Sequence, residues 1–104
     1  MQNILIDKFI VPKESLSAFL EAARQSASFL RTLPGFVEGF VYEKIDGDSP
    51  FNVVTTAVWE NEEAFANARR AAVEEFQRRG FSPQDTMKTL RVEITRAVYE
   101  RSAY

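Results

Sequence analysis

The sequence predicts an α+β domain with the element order βαββαβ. Four stretches rich in β-branched and aromatic residues alternate with two stretches in which apolar residues recur at helical spacing. Turns containing Gly or Pro separate most of these stretches. No linker, repeat or low-complexity tract divides the 104 residues. We therefore expect a single domain over residues 1–104.

The first strand and the first helix occupy the N-terminal third of the chain. Residues 3–11, NILIDKFIV, have the composition of a strand, and Pro12 ends it. From about Glu14 to Leu30, apolar residues fall on one helical face and polar residues on the other. The turn TLPG at residues 32–35 ends this helix. The helix is therefore expected to cover a sheet with one side only.

Two strands joined by a polar loop form the middle of the chain. Residues 36–45 predict the second strand, residues 46–50 a hairpin loop, and residues 51–60 the third strand. The third strand is apolar on both faces, as expected of a strand that is covered on both sides.

The second helix is predicted to begin directly after the only tryptophan, Trp59. Asn61 is a favoured N-cap, and Gly80 marks the C-terminal end. The segment FSPQD at residues 81–85 resembles a short capping-box turn. Residues 88–100 then predict the fourth strand, with apolar and polar residues in alternation.

Two right-handed βαβ halves of this order form a four-stranded antiparallel sheet with two helices on one face, the ferredoxin-like arrangement. The other face is left open. Alternation along the second strand nevertheless gives both faces large apolar residues, with Phe36, Phe40 and Tyr42 on one and Val37, Val41 and Ile45 on the other. A monomer would expose a large apolar patch, so we expect a homodimer that packs two sheets face to face.

The composition excludes several kinds of site. Without cysteine or histidine, the chain can form no disulfide, thiolate nucleophile, His general base, His-ligated haem, or zinc site built on these residues. Its 13 basic and 15 acidic residues make no electrostatic case for binding nucleic acid or an anionic membrane. The N-terminus lacks the pattern of a signal peptide, and no stretch is apolar enough for a membrane span. We expect a soluble cytoplasmic protein with no metal.

Two charged residues, Asp7 and Lys8, interrupt the first strand. One of them must point toward the helices or toward the dimer side, because successive strand residues face opposite ways. A carboxylate in such a place would be partly desolvated, which makes Asp7 a candidate general base. The alternative is a rim position, or an ion pair with a neighbouring strand through Arg91 or Arg96. The sequence leaves both interpretations open.

The aromatic candidates are Trp59 and Tyr42. Trp59 either fills the gap between the second helix and the sheet or forms the stacking wall of a pocket for an aromatic ligand. Because aromatic residues are common in protein cores, the structural interpretation is favoured. Tyr42 is a weak candidate by itself, since a lone tyrosine is more often a strand or interface residue.

Two segments resemble the antibiotic biosynthesis monooxygenase (ABM) family of dimeric α/β barrels: LPGFVEGFVYE at residues 33–43 and VVTTAVWENEEAFANA at residues 53–68. The shared features are Pro-Gly-Phe after the first helix and an aliphatic strand that ends in Trp. A polar pair and a helix start with Ala or Leu and Phe follow that Trp. The resemblance covers roughly residues 3–100.

The resemblance implies a cofactor-free oxidation of an electron-rich phenol, anthrone or quinol by O₂, in a cleft between the helices and the sheet. On this hypothesis Asp7 accepts the phenolic proton, Trp59 and Tyr42 bound the aromatic substrate, and Arg91 or Arg96 holds the enolate. Two alternatives stay open. One is a non-catalytic dimer that binds a small ligand, and the other is a polyketide cyclase or isomerase that works without O₂.

Haem degradation, an activity of related members, is not expected. Those relatives use an Asn, a Trp and a His at positions that fall near Asp7, Ala68 and Arg78 of this chain, and none of the three matches. Many other relatives carry a His at the position of Ala68. We therefore expect no cofactor.

Overall fold

Four strands and three helices form the domain. The computed structural model describes residues 1–104. The strands are β1 (Asn3–Ile10), β2 (Phe36–Glu43), β3 (Val53–Trp59) and β4 (Glu93–Tyr99), and the helices are α1 (Leu16–Leu30), α2 (Glu62–Arg79) and α3 (Pro83–Leu90). The strands form one antiparallel sheet in the order β2-β3-β1-β4. The predicted ferredoxin-like α+β fold is confirmed. None of the helices has the length and hydropathy needed to cross a membrane.

The helix-facing side of the sheet carries two core clusters. One consists of Phe9, Val11, Phe19 and Val53, and the other of Ala57, Trp59, Phe65 and Ala68. Helix α1 closes the first cluster through Phe19, whose ring lies 4.7 Å from that of Phe9. Helix α2 closes the second through Phe65 and Ala68. Helix α1 also reaches the second cluster through Leu30, so it spans both clusters, whereas α2 packs on the second.

The junction between β3 and α2 explains the Pro-Gly-Phe and Trp motifs. The Asn61 side chain accepts a hydrogen bond from the Ala64 N–H at 2.8 Å and begins α2, as predicted. Gly35, at φ +83°, packs so closely on this turn that a Cβ would collide with the Cβ of Ala64. Its carbonyl accepts from the Glu60 N–H at 2.9 Å. Only glycine fits this approach, so the motif stabilises the start of the helix.

A β-bulge in β2 places Phe36 differently from the prediction. Simple alternation grouped Phe36 with Phe40 and Tyr42, but the register shifts between Phe36 and Glu38. An extra residue in one strand interrupts the alternation of faces. Phe36 therefore lies on the helix-facing side, where its ring packs edge-on against Trp59 at a centroid distance of 5.3 Å.

Gly39 leaves space for the Phe36 ring. A Cβ at this position would lie 3.2 Å from the ring and 2.8 Å from the backbone oxygen of Thr56. Neither neighbour can move away cheaply, because one is a packed ring and the other belongs to the adjacent strand. The glycine is thus required by the rotation of Phe36 toward the core.

The segment before β4 is helical, so the predicted start of the fourth strand at residue 88 was wrong. The turn expected at residues 81–85 is present, with the Ser82 hydroxyl accepting from the Asp85 N–H at 3.2 Å. It continues into α3, and β4 begins only at Glu93. Leu90 seemed to continue the strand alternation, but it packs on the Phe19 cluster from the helix, together with Met87 one turn earlier.

The open side of the sheet carries the apolar residues that alternate with the core positions. They are Ile4, Ile6, Ile10, Phe40, Tyr42, Val54, Val58 and Tyr99. Phe40, Tyr42 and Tyr99 are each about half exposed, and the first two rings lie 6.1 Å apart. No helix of the chain covers this side, so a contiguous apolar surface faces solvent in the isolated chain.

Replacing Trp59 by Ala is expected to lower the free energy of unfolding by about 3–5 kcal/mol, because a fully buried ring leaves a cavity behind. The side chain is only 1% exposed. Trp59→Phe retains most of the packing and should be better tolerated. Urea denaturation would measure both changes. Val73→Ala on α2 is the control, since Val73 is 53% exposed. A Trp59→Ala protein that melts within a few degrees of the wild type would contradict this assignment.

Candidate functional site

A bidentate ion pair joins two strands on the helix-facing side of the sheet. Asp7 of β1 and Arg96 of β4 are direct partners in the antiparallel register. The Nε and Nη2 groups of Arg96 donate to the two carboxylate oxygens of Asp7, each at 2.8 Å. Parallel hydrogen bonds of this kind fix the plane of the guanidinium as well as its position. The ion pair was one of the two interpretations that the sequence left open for Asp7.

The pair lies between the two core clusters. Along β1, Leu5 packs against the Trp59 cluster and Phe9 belongs to the Phe19 cluster. Asp7 stands between them on the same face, because alternate strand residues share a face. On its other flank, Asp7 is paired with Thr55 of β3. The polar groups thus form a short band across the sheet between the two core clusters.

The two partners differ sharply in exposure. The Asp7 side chain is 8% exposed, whereas that of Arg96 is 58% exposed. The hydrogen bonds that Arg96 donates to Asp7, together with the negative charge of that carboxylate, raise the pKa of Arg96 above its ordinary value. Burial of the Arg96 side chain acts in the opposite direction. The guanidinium therefore stays protonated throughout the working range of a protein. The group that this pair presents to solvent is a cation.

Apolar side chains flank Arg96 along β4. Ile94 and Val98 lie two residues away on either side, so they share its face of the sheet. They are 37% and 46% exposed. The strand residues of the two core clusters lie mainly on β1 and β3. The β4 edge of the helix-facing side is therefore less covered than the centre of the sheet. We call Ile94, Arg96 and Val98 the β4 strip.

The structure does not bring the other three candidates to this pair. Tyr42 lies on the open side of the sheet. Arg91 ends α3 in a left-handed conformation, at φ 59°, before β4 begins. Trp59 is on the helix-facing side but lies four residues along β3 from Thr55, about 13 Å at ~3.3 Å per residue. At 1% exposure it offers no free ring face.

Two surface cavities lie away from the ion pair. One, of about 440 Å³, is bounded by residues of α1, of the turn after α2 and of α3, including Ala18, Phe81, Asp85 and Thr89. The other, of about 240 Å³, lies between α1 and α2 beside Gln25 and Phe76. Neither is lined by Asp7, Arg96 or Trp59. The candidate site is therefore the surface at the Asp7–Arg96 pair and not either of these two cavities.

Thr55, Ile94 and Val98 were not recognised as site residues from the sequence. A signal was nevertheless present. Arg96 interrupts an apolar stripe between Ile94 and Val98, just as Asp7 interrupts the apolar residues of β1. Two opposite charges that interrupt two apolar faces indicate a pair, once the strands are known to be neighbours.

The sequence matches the model of the antibiotic biosynthesis monooxygenase family over residues 4–79. The chain belongs to the ABM family. The matched region runs from β1 to α2 and includes Asp7 and Trp59, whereas Arg96 lies beyond it. The resemblance inferred from the Pro-Gly-Phe and Trp motifs is confirmed. No functionally curated protein matches the sequence.

Solved structures share this ABM fold. SnoaB, a cofactor-independent oxygenase from Streptomyces nogalater, is 20% identical, with a TM-score of 0.70 over 99% of this chain and 95% of that chain. A conserved protein from Methanosarcina mazei is 14% identical, with a TM-score of 0.75 over 98% of this chain and 94% of that chain. At these identities the likeness shows the common fold alone.

Arg96→Gln in this ABM protein is expected to lower the free energy of unfolding by about 1–3 kcal/mol, because the buried carboxylate of Asp7 loses both donors. Asp7→Asn should lower the free energy of unfolding by less, since the Arg96 side chain is more than half exposed and its charge remains hydrated. The double variant is expected to cost less than the sum of the two, as measured by urea denaturation of all four proteins. Arg24→Gln, which removes an exposed ion pair with Glu21, serves as the control. Strictly additive effects would show that the pair contributes no coupling.

Proposed function

We propose that the protein is a cofactor-independent monooxygenase that oxidises a quinol, anthrone or related polyphenol with O₂. The observation that carries the proposal is the Asp7–Arg96 pair, which places a fixed cation beside apolar surface on the helix-facing side of an ABM-family sheet. The cofactor-independent oxygenase SnoaB, which has the same fold, supports this choice of chemistry.

The proposed reaction needs no external electron donor. An ionised anthrone supplies the electrons itself. Its CH₂ carbon becomes C=O, one oxygen atom of O₂ enters the product, and the other leaves as water. The four electrons taken up by O₂ equal the four lost by the carbon. The protein then has to bind the substrate, stabilise its anion and exclude water from it.

Each candidate residue has a place in this proposal. Arg96 holds the oxyanion of the substrate, and Asp7 completes the polar centre. Trp59 supports the site through the core, since its ring is buried. Tyr42 belongs to the open side of the sheet and is assigned to the subunit contact instead. Arg91 stands outside the site, beyond the N-terminal end of β4.

We also propose a homodimer in which a second copy covers the open side of the sheet. Phe40, Tyr42 and Tyr99 form an exposed apolar surface there, and burying it would remove the patch from water. A small core also favours such an arrangement, because only nine of the 104 residues are buried in the isolated chain.

Oxygen uptake is expected when the protein is mixed with a panel of quinols and anthrones without added metal or cofactor. An oxygen electrode should record one O₂ consumed per anthrone converted, above the rate without protein. The Asp7→Asn/Arg96→Gln variant should lose about tenfold or more of this rate, because the developing anion is no longer stabilised, and Arg24→Gln should retain it. Binding without uptake would instead support a ligand-binding dimer. A ring-closed product without uptake would support a cyclase.

The dimer is expected at micromolar concentration, with a mass by light scattering of about twice the 11.9 kDa of the chain. Phe40→Glu should shift the protein to the monomer, because it places a charge on the apolar contact. Val73→Glu, on the exposed surface of α2, should leave the mass unchanged. A monomer mass that does not vary with concentration would contradict the proposed contact.

A further inference from the structure

We infer that the β4 strip binds the substrate as a preformed anion, and that Asp7 is a positioning residue that aims Arg96 at it. This inference specifies the ligand class of the proposed function, and it rests on that function for the identity of the reaction. The binding step can be tested without the reaction. It assigns Asp7 a different part from the general base that the sequence suggested.

The donors of Arg96 divide between two directions. A guanidinium has five N–H donors in a fixed plane. Two of them, on Nε and Nη2, are held by Asp7. Three remain, and the side chain that carries them is 58% exposed. A planar fork that is fixed at one end and free at the other is suited to bind a second oxyanion.

Asp7 is badly placed to take a proton from a ligand. A general base must come within hydrogen-bond reach of the proton that it removes. The Asp7 side chain is 8% exposed, and both of its oxygens already accept from Arg96. The Arg96 side chain that occupies both oxygens is the more exposed partner, at 58%. A ligand is therefore expected to contact the donors of Arg96, and a substrate that arrives ionised needs no base here.

The flanking residues define the rest of the ligand. Ile94 and Val98 are each about 7 Å along the strand from Arg96, at ~3.3 Å per residue. Their partly exposed side chains extend the apolar surface to about 13 Å in total, the length of a few fused rings. The matching ligand is planar and aromatic, and it carries one acidic oxygen at its edge. Acidic hydroxyquinones, ionised phenols and aromatic carboxylates have this chemistry.

The expected preference for an anion is moderate. Asp7 cancels part of the charge of Arg96, and the pair is open to water on one side. A hydrogen bond to a charged group still favours the ionised ligand over a neutral one by about tenfold. Such a preference is large enough to measure, and removing the Asp7–Arg96 pair should be enough to abolish it.

Binding of naphthoate and naphthamide, measured by calorimetry, tests the anion preference. The two probes have the same ring system and differ in charge, and neither can be oxygenated at a CH₂ carbon. The wild type should bind naphthoate about tenfold more tightly than naphthamide. The Asp7→Asn/Arg96→Gln variant should bind both equally, and Arg24→Gln should retain the preference. Val98→Ala should weaken the binding of both probes by the same factor. An unchanged ratio in the double variant would overturn the inference.

The role of Asp7 has its own readout, the Nε–H signal of Arg96 in ¹⁵N NMR spectra. In the wild type, this proton is held by Asp7 and should exchange slowly with water. Naphthoate should shift the signal, and naphthamide should not. In Asp7→Asn the signal should broaden or vanish, even where urea denaturation shows a folded protein. A signal that survives unchanged in Asp7→Asn would exclude positioning by Asp7.

These measurements separate the two proposals. If the protein prefers naphthoate but consumes no oxygen with any quinol or anthrone, the anion site is supported and the proposed oxygenase function is wrong. If the protein consumes oxygen but binds the two probes equally, the oxygenase function is supported and the anion site is wrong.

Discussion

The register of β1 is the constraint on which most of this structure depends. As an inner strand of the sheet, β1 pairs with β3 on one side and β4 on the other. Its alternation sends Leu5, Asp7 and Phe9 toward the helices, so one strand contributes to both core clusters and to the polar band between them. A shift of one residue would turn Leu5 and Phe9 away from the two clusters and move Asp7 to the open side. The fold and the position of the Asp7–Arg96 pair are therefore set by the same pairing.

The Trp59 junction belongs to the fold rather than to the chemistry. Phe36 packs on Trp59, and Gly35 and Asn61 hold the first turn of α2 against the end of β3. The motif residues that identify the ABM family thus stabilise one corner of the domain. The matched region ends at Arg79, so it contains this corner and Asp7 but not Arg96, the other member of the proposed site.

The electrostatic character of the site follows from unequal burial. A fully buried ion pair would offer no group to a ligand, and a fully exposed one would contribute little because water screens it. Here the carboxylate is buried and the guanidinium is half exposed, so the carboxylate fixes a cation at the surface. In the proposed function, the apolar neighbours on β4 contact the ring system of the substrate, and the cation holds its oxyanion.

Local chemistry was sufficient to predict the presence of four strands and two long helices, the N-cap at Asn61 and the stop at Gly80, because these features depend on residues close together in the chain. The absence of Cys and His likewise excluded whole classes of site. The bulge beside Phe36 and the extension of the Ser82 turn into α3 were missed, since each depends on packing against distant residues. Asp7 and Arg96 are 89 residues apart, and only the register of β1 with β4 makes them partners. The sequence identified both residues as candidates. Only the tertiary structure decided that the Asp7 carboxylate is buried and that the Arg96 side chain is exposed.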